Sequence, residues 1–323
     1  MVRCASSSIS IALGFMMSAC TAAIAEPVTI RLGNTTTAGE GQIWLMKAMP
    51  EITPGQGKDY ILETNPFRGG DIRMKAFQAG QIDGVVSTGT GAITAATKGV
   101  PLVVVASLSQ EDNNVFSSPY VVLGDSSIRS PADLKGKTIG INSLREAWEL
   151  GARLALLDNG LNPDRDVKWT VTQPAMLGEA LRAGKIQLAG IAQPFFATEQ
   201  KRGNVRVLFT IETSFGVKDE FLLYLNPDFV QKNKKALSSF IRDLRLATVF
   251  YTTRNKEARE AISRAKLVEM DPEVYFNLVE LKRKEGSLPS LDYLRSLQQS
   301  LIRAGYIDKK IDIETIIDTT LAD

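Results

Sequence analysis

Short apolar runs alternate along this chain with amphipathic stretches that end in glycine. Between Asp71 and Ala106, Met74, Phe77 and Ile72 recur at helical spacing, and Ala79-Gly80 closes that helix. Gly80 suits the position after a helix because it enters the left-handed region without a Cβ penalty. Ile82 to Val86 then predicts a strand, Thr88 to Thr90 a turn, Ala92 to Lys98 a small-residue helix, and Leu102 to Ala106 a second apolar strand. Two apolar strands around a helix predict a parallel βαβ unit buried on both faces. Doubly wound folds hold ligands where such strands meet helix N-termini, and Ser87-Thr88-Gly89 stands at such an end.

The same design recurs between Met176 and Phe195, where Ala180, Ala183, Gly184 and Ile186 match Ala76, Ala79, Gly80 and Ile82 in register. A helix closed by Ala-Gly feeds an apolar strand, which ends in a polar residue and a break. Two lobes of similar build are one reading of this echo. A chance recurrence of a common helix ending is the other.

Elsewhere the pattern continues to alternate. Val28 to Leu32 predicts a strand, followed by the polar loop Thr35 to Gly41 and a helix from Ile43 to Met49. Thr36 and Thr37 are candidates to line an anion or hydroxyl cradle with free backbone N–H groups, or else simply cap and turn. Arg68, in the loop before the first glycine-closed helix, is a candidate partner for a ligand carboxylate or a solvated charge. Ser143 precedes Glu146 with capping-box spacing and predicts a helix from Leu144 to Asp158. Trp148, Ala152 and Ala155 lie on one face of that helix. Gln193-Pro194-Phe195 leads off the echoed strand, Glu212 to Val217 reads as a loop, and Phe221 to Leu225 as a strand returning from the second lobe. From Pro227 onward the chain reads as charged helices, including Lys235 to Tyr251 and Pro272 to Lys284, with the charges on a solvated face.

At 323 residues, with 44% hydrophobic and 23% charged positions, the chain is long enough for two globular domains. Its 38 basic and 36 acidic residues leave a net charge of +2, which gives no support for a nucleic-acid surface. The count of 0 histidines removes imidazole bases, His ligands and Ser-His-Asp triads. No Walker loop, dinucleotide fingerprint or calcium-loop pattern is present, so no metal, cofactor or catalytic residue is expected. Arg3, the apolar run Ile9 to Met17 and Ala23-Ile24-Ala25 before Glu26 predict a secretory signal peptide over residues 1–25. Met17-Ser18-Ala19-Cys20 offers lipid attachment at Cys20 as the alternative, although the tether from Thr21 to Pro27 would be short. Cleavage after Ala25 leaves no cysteine, so the exported chain would rely on its core.

Three segments carry a family likeness: Ala79-Gly80-Gln81-Ile82-Asp83, Lys98-Gly99-Val100-Pro101-Leu102, and the run from Ser127 to Gly140. With Leu181 to Pro194, they resemble the periplasmic substrate-binding proteins of ABC importers for nitrate, sulfonates, taurine and related small anions. The resemblance covers nearly the whole mature chain. It implies a bilobed, type II periplasmic-binding-protein-like α/β fold, two α/β lobes joined by two crossing strands. Lobe I would hold residues 26–118 and 221–323, and lobe II residues 119–220. It also implies ligand-facing positions in the loop Thr35 to Gly39, which holds Thr36 and Thr37, at Ser87-Thr88, at Ser143 and at Gln193-Pro194, with Gly89 a candidate from its place at the strand end. Tyr120, Arg145 and Phe195 join Arg68 as further candidates around the cleft. Gln187 and Gln193 stand where relatives carry acids, which favours an anionic ligand.

The expected function is therefore capture of a small organic anion, sulfonate- or carboxylate-like, and its delivery to an inner-membrane ABC permease by a periplasmic monomer. An enzyme on the same scaffold acting on a small acid, and a ligand-sensing subunit for a membrane receptor, are the alternatives.

Overall fold

The computed structural model describes Met1 and residues 26–322, apart from 36, 37, 68, 217, 219 and 269. The expected signal peptide and Cys20 lie outside the described residues, as do Thr36, Thr37 and Arg68. In chain order the first part runs β1 (Val28–Asn34), α1 (Gly41–Ala48), β2 (Tyr60–Pro66), α2 (Gly70–Gln78), β3 (Gly84–Thr88), α3 (Gly89–Thr97) and β4 (Val103–Gln110). Then follow β5 (Pro119–Leu123), β6 (Thr138–Ile141), α4 (Ala147–Asp158), β7 (Lys168–Val171), α5 (Leu177–Arg182), β8 (Leu188–Gly190), α6 (Phe195–Arg202), β9 (Val205–Thr210) and α7 (Ile211–Phe215). The chain closes with β10 (Glu220–Leu225), α8 (Pro227–Lys232), α9 (Lys234–Thr253), α10 (Asn255–Arg264), α11 (Pro272–Phe276), β11 (Lys282–Arg283) and α12 (Leu291–Arg303).

The strands form two sheets, ordered β11-β4-β10-β3-β1-β2 and β7-β6-β8-β5-β9. The fold is thus bilobed α/β of the type II periplasmic-binding-protein kind. The chain passes between the sheets twice, from β4 to β5 and from β9 to β10. β3 and β4 are not neighbours, as a simple βαβ unit would require. β10 enters between them, antiparallel to both. Its side chains are almost wholly buried, so a strand arriving from the other sheet finds backbone partners only in a central slot. β5 does the same in the second sheet, antiparallel to β8 and β9.

The two sheets therefore share one plan. An outer parallel pair (β2 and β1, β7 and β6) precedes β3 or β8, then an antiparallel strand arriving from the other sheet, then β4 or β9. The glycine-closed helices α2 and α5 lead into the equivalent strands β3 and β8. Gly80 and Gly184 both take left-handed φ values, 68° and 66°. Ile82 and Ile186 are both buried behind them. The sequence echo marks the same step in each sheet.

One apolar core covers the outer face of the first sheet, where Ile43 and Leu45 of α1 meet Leu237, Phe240 and Leu244 of α9. A smaller one lies under α5 and α6. The third runs without a break from Ile93 of α3 and Leu297 of α12 into Leu150 and Leu154 of α4, with Tyr306 and Ile307 beside them. Both lobes contribute to it.

Four expectations need correction. Ile72 is 55% exposed, so the buried stripe of α2 is Arg73, Ala76 and Phe77. Helix α4 starts at Ala147 with Glu146 at its N-cap, because Arg145 takes a left-handed φ of 59° and breaks the chain direction after Ser143. The stretch expected as a loop from Glu212 is instead α7, with Thr210 capping it through Thr213 N at 3.2 Å and Gly216 ending it in the left-handed region. The C-terminal charges are not all solvated. α11 ends at Phe276, and the chain beyond it runs out to the edge strand β11, antiparallel to β4. Glu280, half-buried there, pairs with the buried Arg259 and Arg283.

Candidate functional site

A cleft lies between the two sheets, enclosing about 980 Å³ of non-atom space with its mouth included. The first sheet supplies Thr35, Gly39, Ser87 and Thr88 at its strand ends, and α2 supplies Gly70 and Arg73. Asn142, Ser143, Glu146 and Trp148 face them from the second, with Gln193. Glu111, Phe116 and Ser118 come from the first crossing, and Glu220 and Phe221 from the start of β10.

Of the candidates read from the sequence, Ser87, Thr88, Ser143 and Gln193 are brought together here. Gln193 is used on both sides. Its Nε2 donates to Val279 O at 2.7 Å, its Oε1 accepts from Ala197 N at 3.0 Å, and its backbone O accepts from Ala38 N at 3.2 Å. It is a clasp between elements of the two sheets. Gly89 opens α3 but faces away, since a Cβ there would fall 2.4 Å from Tyr293 Oη. Tyr120 is fully buried beneath the cleft, stacked on Phe209, and its hydroxyl donates to Trp148 O at 2.6 Å. Arg145 turns outward, donating to Tyr306 O and lying 4.7 Å above the Tyr306 ring. Phe195 lines a separate groove with Lys201, Met270 and Val274.

The charged groups of the cleft were not legible as such. Arg73 is only 6% exposed, yet among the described residues its guanidinium makes one hydrogen bond, Nη2 to Ser87 Oγ at 3.1 Å, and no ion pair. Four of its five N–H donors are left for another partner. A basic residue at i−3 and i−4 from the apolar Ala76 and Phe77 is the signal that could have marked it.

Glu146 reaches from the second sheet to the N-termini of α2 and α3. A Cβ at Gly70 would lie 2.4 Å from its Oε1, and one at Gly91 3.3 Å from both carboxylate oxygens, so these glycines make the room it occupies. Burial raises its pKa, and the Arg73 charge and the Thr88 hydroxyl offset part of that rise. Burial likewise pushes Glu111 up to about 7, against hydrogen bonds from Ser118 and Ser117. Glu40, behind Thr35, is also pushed up to about 7 by burial, with the Thr35 and Asn34 bonds and Arg73 opposing. Glu220 is paired with Lys284 at 2.6 Å, and Glu280 with Arg259 at 2.7 Å.

Among the described residues no group of His, Cys, Asp and Glu is placed to hold a metal ion. No helix there is long and apolar enough to cross a membrane. What the cleft offers is a buried guanidinium with free donors, hydroxyls, two helix N-termini and an apolar wall of Phe67, Phe116, Trp148 and Phe221. That is the chemistry of non-covalent capture of a small polar molecule.

The fold and the cleft between the sheets define the class as a bilobed α/β protein of the type II periplasmic-binding-protein fold. Residues 23–267 match the NMT1-like family, and the chain belongs to that family. Solved structures of the same fold include the periplasmic aliphatic sulphonate binding protein SsuA of Escherichia coli. It is 19% identical over 91% of this chain and 92% of its own, with a TM-score of 0.71. The alkanesulfonate-binding SsuA of Xanthomonas axonopodis pv. citri, bound to MOPS, is 16% identical over 92% of this chain and 100% of its own, with a TM-score of 0.75. A periplasmic nitrate-binding protein of Synechocystis is 15% identical over 92% of this chain and 87% of its own, with a TM-score of 0.72. No curated protein matches the sequence.

Proposed function

We propose that this protein is the solute-binding component of an ABC import system, holding a small organic anion between its lobes and handing it to an inner-membrane permease. The observation that carries this reading is Arg73, buried at the cleft wall with a single hydrogen bond and no ion pair among the described residues. A guanidinium kept out of water with one hydrogen bond and no direct ion pair is costly, and an anionic ligand supplies the missing contact through a charge-assisted fork. Ser87, the N-terminal N–H groups of α3 and Ser143 would complete the cradle from both lobes. Thr36, Thr37 and Arg68 remain candidates on sequence grounds. The names of the structural relatives, sulphonate- and nitrate-binding, point the same way.

On this reading lobe I comprises residues 26–118 and 221–323 and lobe II residues 119–220, and ligand contacts to both shift the population toward a closed form. Release to a permease, with no bond made or broken, needs only reopening. A periplasmic location is supported by the expected signal peptide, and a monomer is the state expected from the family resemblance. Calorimetric titration and thermal shift of the purified mature protein against alkanesulfonates and aromatic carboxylates test the proposal. Saturable heat with a rise in Tm supports it, and no response across such a panel refutes the ligand class.

A further inference from the structure

We infer that the ligand also carries a cationic nitrogen, and that this nitrogen meets Glu111 at the far end of the cleft from Arg73. This rests on the reading of Arg73 as the anion site and deepens it. The four carboxylates that line the cleft are not equivalent. Glu220 is neutralised by Lys284 and Glu280 by Arg259 and Arg283. Glu146 sits in the field of Arg73 and at the positive ends of α2 and α3. Glu111 has none of these. It is 4% exposed, lines the cavity, and accepts from Ser118 N at 2.6 Å, but no lysine or arginine among the described residues pairs with it. A buried carboxylate without a counter-charge favours a cation delivered by the ligand for the same reason that Arg73 favours an anion.

The strand register gives the width of the cleft floor between the Arg73 contact on β3 and Glu111. Thr88 is level with Phe221 and Phe221 with Ser109, two strand spacings away. Glu111 lies two residues further along, so the Thr88 and Glu111 backbones are roughly 12 Å apart, and Arg73 reaches the Thr88 end of that span, where its Nη2 donates to Ser87 Oγ at 3.1 Å. Side chains reaching inward from both sides leave room for a chain of a few carbons or one ring. Phe116 and Phe221, in the same cavity, offer aromatic faces to an ammonium group. Burial pushes the Glu111 carboxyl up to about 7, which a cation in contact would reverse.

The test compares matched pairs that differ only by the amine: 3-aminopropanesulfonate with propanesulfonate, 4-aminobutanoate with butanoate, and 4-(aminomethyl)benzoate with 4-methylbenzoate. Each is titrated calorimetrically into the wild-type mature chain, Glu111→Gln and Glu111→Asp. Gln keeps an acceptor for Ser118 N, and Asp keeps the charge but withdraws it by one methylene. The expected result is that at least one aminated member binds wild type about tenfold or more tighter than its partner. Glu111→Gln should erase that gap by weakening the aminated member, and Glu111→Asp should narrow it. Equal affinity within every pair, or equal weakening of both members by Glu111→Gln, overturns the inference and leaves the anion reading standing. If no member of any pair binds, the anion reading itself falls, and this inference with it.

Discussion

Replacing Arg73 by Met is the most direct probe of the cleft. Met fills a similar volume on the buried stripe with Ala76 and Phe77 but brings no charge and no donor. Two N–H bonds to an oxyanion in a water-poor wall are worth about 2–5 kcal/mol when one partner is removed, so affinity for the anion should fall by about 30-fold to several thousand-fold. Lysine restores the charge but not the fork, and should recover only part of the loss. Stability moves differently. The wild-type side chain has one hydrogen bond, to Ser87 Oγ, so its removal gives up about 1 kcal/mol there and relieves the burial of an unpaired guanidinium. Urea denaturation of the free protein should therefore change little.

The two readouts separate through linkage. Ligand at 100 times Kd adds about 2.7 kcal/mol, and for a folded chain of ~300 residues that raises Tm by about 4 °C. Arg73→Met should keep the free-protein Tm and lose this increment. An unchanged ligand-induced increment in a well-folded Arg73→Met variant would falsify the assignment of Arg73 as the anion site.

Three further outcomes are expected. Glu146→Gln removes a negative charge beside the same cradle and should tighten anion binding, by roughly tenfold for a loss of about 1–2 kcal/mol of repulsion; calorimetry reporting weaker binding would make Glu146 a ligand contact instead. Gln193→Ala leaves Val279 O and Ala197 N without their side-chain partner, at about 1–3 kcal/mol, and should speed ligand release and shift X-ray scattering of the liganded protein toward a more open form. Glu40 and Glu111, each raised from 4.5 to about 7, hold their protons more tightly folded than unfolded. Unfolding free energy should thus fall as pH rises from 4.5 to 7, by up to about 3 kcal/mol per group, and level off above. Urea titrations across that range should show the slope, and Glu40→Gln with Glu111→Gln should flatten it. The lowered carboxyls Asp112 and Asp133 act only below their ordinary value of 3.8, outside this window.

The two-sheet plan was readable in advance because it is written in local terms. Ala-Gly endings, apolar pentamers and proline breaks specify each helix-to-strand step without reference to distant residues. The insertion of β10 between β3 and β4 was not, since its neighbours are 110 or more positions away in sequence. Polar residues of the cleft divide along the same line. Ser87, Thr88 and Ser143 stand at strand ends, where position alone suggests a site. Arg73, Glu111 and Glu146 gain their meaning from burial, and burial of a charge depends on what packs over it from elsewhere. Tyr120 and Arg145 show the converse: each has the right chemistry, but Trp148 and Tyr306 claim it first.

The unbroken apolar seam from α3 and α12 into α4 makes the two halves an unequal pair of jaws. Prying Tyr306 and Ile307 from α4 would wet carbon at about 25 cal/mol per Å². Bridges on the other side include polar ones that water can replace: Lys201 to Asp271 and Glu273, and Gln193 to Val279 and Ala38. The mouth should accordingly swing wide on the Lys201 side while the seam stays shut, and a solute would enter and leave through that one gate.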